Sequence, residues 1–130
     1  MSRTSRRISA ITAVAALALT GVAEGKTYKV DIVTKNSKNV GIKISGTFNG
    51  RPFGRCPVTG KLLIPDTQET LHCKGGTVSF HSHATQVTDK TKGTWKFTGG
   101  TGKFKGIKGG GTFTGTISAG HYRFVGKARF

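Results

Sequence analysis

Hydrophobic and polar residues alternate with a period of two along most of the chain after residue 25. Tyr28, Val30 and Ile32 share one face of the first such run, while Lys29 and Asp31 share the other. A period of two is typical of a strand with one buried and one hydrated face. Beyond residue 25, we find no apolar period of 3.6 residues long enough to predict a helix. The alternation returns over residues 40–48, 76–85, 112–117 and 120–130.

Turn-forming residues separate these runs. A polar cluster occupies residues 36–39, and Asn49-Gly50 is a dipeptide that favours a two-residue hairpin turn. In the alternating run over residues 40–48, Val40 and Ile42 are expected on the apolar face. Seven or eight short strands in one small domain favour an all-β fold, namely a small closed antiparallel β-barrel of about eight strands. Closure is favoured because it removes exposed sheet edges.

The first 23 residues have the organisation of a secretory signal peptide. Three arginines precede an apolar core from Ile8 to about Val22, and Ala23 ends a small-residue cleavage site. Polar residues interrupt the core, which is shorter than the roughly 20 apolar residues of a spanning helix. We therefore expect cleavage, no transmembrane segment in the mature chain, and a single β-barrel domain over residues 24–130. The protein would be secreted or periplasmic.

The chain is strongly basic, with a formal net charge of +16. Removing the three arginines of the signal peptide leaves about +13. Such a charge attracts polyanions, anionic lipid headgroups and acidic glycans without sequence specificity, and export argues against a specific nucleic-acid partner. The lysines are interpreted either as a solvated surface or as a patch that binds a polyanionic envelope component.

Cys56 and Cys73 lie downstream of the signal peptide. In an oxidising compartment, an even pair in a small exported domain predicts a disulfide, worth about 3 kcal/mol in chain-entropy models. A metal-binding pair and two free thiols are the alternatives. Pro57 and Pro65 predict an irregular segment between the cysteines, with Glu69 in a turn.

A glycine-rich segment, Thr98–Gly106 (TGGTGKFKG), links two late strands. It lacks the spacing of a phosphate-binding loop, in which a glycine stands five residues before Gly-Lys. The glycines are instead expected to form the bend between the strands, with Phe104 as a packing anchor. These structural glycines are Gly99, Gly100, Gly102 and Gly106.

This segment resembles the Gly-Gly-[Ser/Thr]-Gly-x-Phe motif of the allene oxide cyclase and dirigent superfamily, and the resemblance extends over residues 93–115. It implies an eight-stranded antiparallel barrel whose lumen receives an apolar substrate. In that superfamily, lumen acids take part in the chemistry. Here Asp31 lies on the polar face, and Asp66, Glu69 and Asp89 are expected in loops or turns, so no catalytic residue is assigned.

Aromatic residues on the apolar faces either fill the barrel or line a cavity. His81 and His83 share a strand face and are candidate metal ligands, with plain surface residues as the alternative. His72 and His121 would complete such a site only if the fold brought them close. No cofactor is predicted. The candidate lumen residues are Tyr28, Phe80, Trp95, Phe97, Phe113, Tyr122 and Phe124.

The sequence thus favours a non-enzymatic exported barrel that binds a small apolar or amphipathic ligand or acts at the cell envelope. One alternative is an enzyme of the allene oxide cyclase or dirigent type that catalyses a cyclisation, isomerisation or coupling. A second is a cationic surface protein that binds polyanions. Oligomerisation is left open, because no interface is indicated.

Overall fold

The computed structural model describes residues 25–35 and 37–130, which form nine antiparallel strands. The signal peptide predicted for residues 1–23 lies outside the described residues. A 3-10 helix, Gly102–Phe104, connects the seventh and eighth strands. The strands are β1 (Thr27–Thr34), β2 (Lys38–Val40), β3 (Lys43–Arg51), β4 (Gly54–Leu63), β5 (Asp66–Cys73), β6 (Gly76–Val87), β7 (Lys90–Gly100), β8 (Lys108–Thr116) and β9 (His121–Arg129).

The sheet closes on itself. Hydrogen-bonded neighbours follow the order β1-β9-β8-β7-β6-β5-β4-β3, and β3 pairs back with β1 through residues 31–34 of β1. Eight strands therefore form the barrel, and β2 is an extra strand that pairs with β3. The predicted all-β closed antiparallel barrel of about eight strands is confirmed. Among the described residues, no helix is long and apolar enough to cross a bilayer.

The period-two pattern assigns the inner and outer faces correctly along β1. Val30 and Ile32 are buried in the core. On the outer face, Arg123 of β9 donates two hydrogen bonds to the Asp31 carboxylate, with nitrogen–oxygen distances of 2.9 and 2.8 Å. Asp31 therefore points away from the lumen, as the alternation predicts.

The hairpin turn predicted at Asn49-Gly50 is wrong. Both residues lie inside β3, and the turn falls at Pro52 and Phe53. Gly50 pairs with Ile32 of β1 on one side and with Gly54 of β4 on the other. A Cβ at Gly50 would collide with the carbonyl oxygen of Asp31. The glycine thus allows the close approach of β1 and β3 where the barrel closes.

The segment between the cysteines is also more regular than expected. It contributes most of β4 and all of β5, and Cys56 and Cys73 form a disulfide with a Cα–Cα distance of 4.8 Å. Pro57 lies within β4, although proline cannot donate to a strand ladder. It is accommodated because β5 pairs with β4 only from Val58 onward, so that Pro57 has a paired neighbour on the β3 side alone.

The antiparallel topology gives the barrel two different ends. The sealed end comprises the β3–β4, β5–β6 and β7–β8 connections, the start of β1 and the end of β9. The Phe104 ring there lies 5.4 Å from that of Phe53 and 5.2 Å from that of Phe130, centroid to centroid. Ile107 and the disulfide sulfur of Cys56 are buried in the same core. These groups close this end of the lumen.

The glycine-rich segment forms the predicted bend between two late strands, and it is also part of the seal. Phe104 is buried, and Lys103 points outward with its ammonium 5.3 Å from the Phe104 ring centroid. Gly102 adopts a φ of 61°, and a Cβ there would collide with the carbonyl oxygen of Gly75. Glycine is therefore required at this position, since other residues rarely adopt this φ.

Candidate functional site

The open end of the barrel contains a cavity of about 140 Å³. This end carries the β1–β3, β4–β5, β6–β7 and β8–β9 connections. The cavity is about as large as an engineered apolar cavity of about 150 Å³ that binds benzene. Its walls are mainly apolar, with a few polar groups. The residues that line it include Phe48, Ile64, Thr67, Glu69, Ser82, Ala84, Val87, Thr91, Phe113, Ile117, Tyr122 and Phe124.

Aromatic rings in the middle of the barrel separate this cavity from the sealed end. The Phe124 ring lies 5.3 Å from that of Phe48 and 5.4 Å from that of Phe113, centroid to centroid. Phe80 packs edge-on against Phe124 and Trp95 in the same layer. The lumen is therefore packed in the half next to the sealed end and hollow near the open end.

Glu69 is the one carboxyl group among the described residues that line the cavity. It lies on the inner face of β5 and is only 7% exposed. Its carboxyl accepts a long hydrogen bond from the Thr67 hydroxyl, at 3.4 Å. Burial in this apolar setting raises the pKa of Glu69 to about 7, an effect that the Thr67 bond opposes only in part.

A glycine in the neighbouring strand makes room for this side chain. Gly60 of β4 is the register partner of Glu69. A Cβ at Gly60 would lie 2.8 Å from the Glu69 Cγ, which is too close for an unchanged conformation. The local sequence of β4 therefore permits an inward glutamate at this level of the barrel.

The other polar groups of the cavity lie closer to its mouth or across from Glu69. The hydroxyls of Thr67 and Ser82 are hydrogen-bonded to each other across β5 and β6. Thr91 donates to the carbonyl oxygen of Gln86 at 2.9 Å. Tyr122 is half-buried, and burial together with the carboxylates of Glu69 and Asp89 raises the pKa of its phenol. A bound polar group would therefore meet hydroxyls and one carboxyl.

The expectation that Glu69 lies in a turn is wrong, and with it the inference that no acid faces the lumen. Pro57 in β4 and Pro65 just before β5 obscured the alternation of β5, in which Glu69, Leu71 and Cys73 share the inner face. The sequence did contain a signal for this position. A disulfide that packs in the core places Cys73 on the inner face, and the period of two then places Leu71 and Glu69 on the same face. Thr67, Ser82 and Thr91 were also missed as lining residues.

The seven aromatic residues proposed for the lumen do not all line the cavity. Phe113, Tyr122 and Phe124 line the cavity. Phe80 and Trp95 belong to the packed middle layer, where the Trp95 indole nitrogen donates to the carbonyl oxygens of Thr112 and Val125 at 3.0 and 3.1 Å. At the sealed end, Tyr28 stacks on Phe130 and Phe97 packs edge-on against Phe53.

His81 and His83 lie on the outer face of β6, away from the cavity. Nε2 of His81 and Nδ1 of His83 lie 3.0 and 2.9 Å from the same oxygen of Asp66, and the His83 hydrogen bond is the main cause of a lowered Asp66 pKa. His72 contacts the Thr59 hydroxyl instead. Among the described residues, no cluster of three or more potential ligands has the geometry to hold a metal ion.

The remaining residues singled out from the sequence do not contribute to the cavity. Gly99 and Gly100 end β7, and Gly102 and Gly106 belong to the sealed end. Exposed lysines occur on β1, β3, β4, β7 and β8 and in the connections at both ends. The positive charge is thus spread around the barrel.

Comparisons with family models, with curated proteins and with solved structures return no match to this chain. The assignment to the allene oxide cyclase and dirigent superfamily therefore stays a prediction. The class of protein that the structure does define is a closed eight-stranded antiparallel barrel with a disulfide at its sealed end and a cavity at its open end.

Proposed function

We propose that this protein is an exported carrier or receptor that binds a small amphipathic ligand in the open half of its barrel. The observation that carries the proposal is an apolar cavity with a single buried carboxyl group, Glu69, on its wall. Binding sites of this kind combine apolar walls with a few polar groups that fix orientation. The disulfide and the predicted signal peptide support export, because disulfides form in oxidising compartments.

The cavity volume limits what enters. About 140 Å³ accommodates one aromatic ring or a short hydrocarbon segment. A longer molecule would place one end in the cavity and extend through the mouth. We therefore propose a ligand with a compact polar end rather than a bulky ring system.

The protonation state of Glu69 determines which polar group of the ligand is preferred. Below about pH 7 the carboxyl group is protonated and can donate a hydrogen bond to a hydroxyl or carbonyl oxygen. Above that pH the carboxylate repels an anionic headgroup and accepts from a donor. A neutral hydroxyl or carbonyl compound is thus preferred, and a fatty acid should bind progressively more weakly as the pH rises through 7.

Two probes test this proposal, 1-octanol as a neutral ligand and octanoate as an anionic one. Isothermal titration calorimetry at pH 5.5 and 8.5 should show octanol binding at both values and octanoate binding at the lower one. Ala84→Leu, which fills the cavity wall, should abolish binding of both. Ala119→Leu, an exposed turn position outside the cavity, is the matched control.

Glu69→Gln should retain octanol binding and remove the pH dependence of octanoate binding. The proposal is overturned if neither probe binds and native mass spectrometry of the exported protein finds no co-purifying small molecule. Binding that survives Ala84→Leu would place the ligand elsewhere.

A second candidate function is enzymatic, and the raised pKa of Glu69 is the observation that favours it. A carboxyl group that titrates near pH 7 can both give and take a proton at neutral pH, as a general acid–base catalyst must. A cyclisation or isomerisation of an apolar epoxide would use the group in both directions and return it unchanged. Turnover that is lost in Glu69→Gln while octanol binding persists would favour the enzyme over the carrier.

Membership of the allene oxide cyclase and dirigent superfamily is part of this proposal. It is supported by the Thr98–Gly106 motif, by the eight-stranded antiparallel barrel and by the position of the motif between β7 and β8.

A further inference from the structure

The exposed hydrophobic side chains of this protein gather at one end of the barrel. Among the described residues, six large hydrophobic side chains are between 43% and 76% exposed. All six lie in or next to the connections of the open end, and none lies at the sealed end. We call this set the apolar rim. It consists of Val40, Ile42, Leu63, Ile64, Val87 and Ile117.

The apolar rim is continuous with the cavity. Ile64, Val87 and Ile117 belong to the rim and also line the cavity wall. Single exposed hydrophobic residues are normal on protein surfaces. Six that project from four connections around one opening form a coherent patch, and patches of this kind mark sites of interaction.

Positive charge surrounds this rim. Lys38 and Lys43 flank the β2–β3 turn, Lys61 precedes the β4–β5 turn and Lys90 follows the β6–β7 turn, and all four are exposed. Lys35, at the end of β1, adds a fifth exposed cation.

Two ionised carboxylates, Asp66 and Asp89, also lie near this end, and the pKa of each is lowered. Asp66 lies within 3.0 Å of ring nitrogens of His81 and His83. Asp89 accepts hydrogen bonds from the backbone and hydroxyl groups of Ser118 at 2.9 and 3.1 Å. The five exposed lysines outnumber these two carboxylates, so the outer surface of the open end is apolar at its tips and carries a net positive charge behind them.

We propose that the open end of the barrel docks on an anionic lipid bilayer. The apolar rim would enter the boundary between headgroups and acyl chains, and the lysines behind it would contact the anionic headgroups. Membrane-surface elements combine these two features, because the bilayer itself has an anionic layer over an apolar one. The mouth of the cavity would then open directly onto the lipid.

Charge argues against a second copy of the chain as the occupant. Apposing two open ends would bring two sets of lysines together, and like-charge juxtaposition is unfavourable at interfaces. Gly25, the first described residue, lies against Phe130 at the sealed end, opposite the apolar rim. The bilayer complements both the apolar and the cationic part of the surface.

Co-sedimentation of the exported protein with vesicles tests this proposal. Vesicles of phosphatidylcholine and phosphatidylglycerol at 3:1 should bind the protein, whereas pure phosphatidylcholine should bind it at least tenfold more weakly. The triple variant Val40→Ser/Ile64→Ser/Ile117→Ser should reduce the partition coefficient on anionic vesicles at least tenfold. Retained binding by this variant would overturn the proposal.

A pair of charge variants separates docking from general attraction of a cation to an anionic surface. Lys38→Gln/Lys43→Gln at the open end should weaken vesicle binding several-fold and flatten its salt dependence. Lys103→Gln/Lys105→Gln removes the same charge at the sealed end and should have little effect. Equal losses in the two variants would show non-specific attraction and overturn the proposed orientation.

Two further measurements address the other occupants. Light scattering over a range of concentrations should show a monomer. A dimer of the wild type that is absent in the triple rim variant would mean that the rim binds a second copy of the chain and not the bilayer. Vesicle binding should persist in protein whose N-terminus is Glu24. Binding that requires residues 1–23 would assign the membrane contact to that segment. These readouts are independent of whether octanol occupies the cavity.

Discussion

At the sealed end of the barrel, Phe53, Phe104 and Phe130 pack with ring centroids 5.2 to 6.1 Å apart, and a disulfide joins β4 to β5. At the open end, the hydrophobic side chains either face solvent or line a cavity. Both ends are made from the same alternating strands. The difference lies in what the connections between the strands contain.

The long connection between β7 and β8 folds Phe104 and Ile107 inward over the lumen. At the open end, the turns that follow β2, β4, β6 and β8 are short, and six hydrophobic residues in or next to them stay exposed to solvent. A barrel closed firmly at one end can accommodate a hollow lumen, a buried acid and exposed apolar tips at the other. We infer that stability is concentrated at the sealed end and ligand recognition at the open end, a common separation in proteins.

The largest effect is expected from Phe104→Ala at the sealed end. The side chain is 1% exposed and contacts two other rings, so truncation should lower the free energy of unfolding by about 3–5 kcal/mol. Urea denaturation measures the change, and Phe104→Leu, which retains most of the volume, is the matched control. A loss below about 1 kcal/mol for the alanine variant would show that this ring does not hold the seal.

Removal of the disulfide should cause the second-largest loss of stability. The double variant Cys56→Ala/Cys73→Ala should lower the free energy of unfolding by about 3 kcal/mol. Octanol affinity at the open end should change less than twofold, because the disulfide does not line the cavity. Thiol labelling of the denatured, unreduced wild type should find no free cysteine, and two labelled thiols would contradict the bond itself.

Glu69→Gln should raise the free energy of unfolding at pH 8, whereas the two changes at the sealed end lower it. The native pKa of about 7 lies above the ordinary value of 4.5, so the unfolded chain loses this proton first as the pH rises. The unfolded state therefore binds fewer protons between these values, and the free energy of unfolding falls as the pH rises from about 4.5 through 7. The total decrease is up to about 3 kcal/mol, at 1.36 kcal/mol for each pKa unit.

The glutamine variant lacks this penalty. We expect it to match the wild type at pH 4.5 and to be more stable at pH 8, as measured by urea denaturation at both values. Asp66→Asn is the control, because the pKa of that exposed carboxyl is lowered and its contribution is lost toward acidic pH. An unchanged difference between pH 4.5 and pH 8 in Glu69→Gln would show that the group titrates normally.

Two parts of the sealed end, the disulfide and the bend between β7 and β8, were predictable from the sequence because their determinants are local and chemically distinctive, whereas the β3–β4 turn at the same end was predicted at the wrong residues. Cysteine pairing, glycine spacing and Phe104 within the motif each limit the structure strongly. The period of two also gave the inner and outer faces of β1 and β9. These patterns suffice for the barrel and for the bend between β7 and β8.

The open end was less predictable for two physical reasons. Alternation assigns a side chain to a face but does not say how far along the barrel it lies, so Val40 and Ile42 were expected in the core and instead lie exposed at a hairpin turn. The prolines of β4 and of the β4–β5 turn concealed two regular strands, and with them the inward position of Glu69. Depth along the lumen depends on strand register, which comes from pairing partners.

The smallest effect on stability is expected from the apolar rim. Val40→Ser/Ile64→Ser/Ile117→Ser alters side chains that are 43% to 76% exposed, so each change should shift the free energy of unfolding by no more than about 0.5 kcal/mol. Phe104→Ala should show the reverse behaviour, with reduced stability and, at temperatures where it stays folded, unchanged vesicle binding. A triple variant destabilised as much as Phe104→Ala would mean that the rim packs within the fold, and the contrast between the two ends would then be wrong.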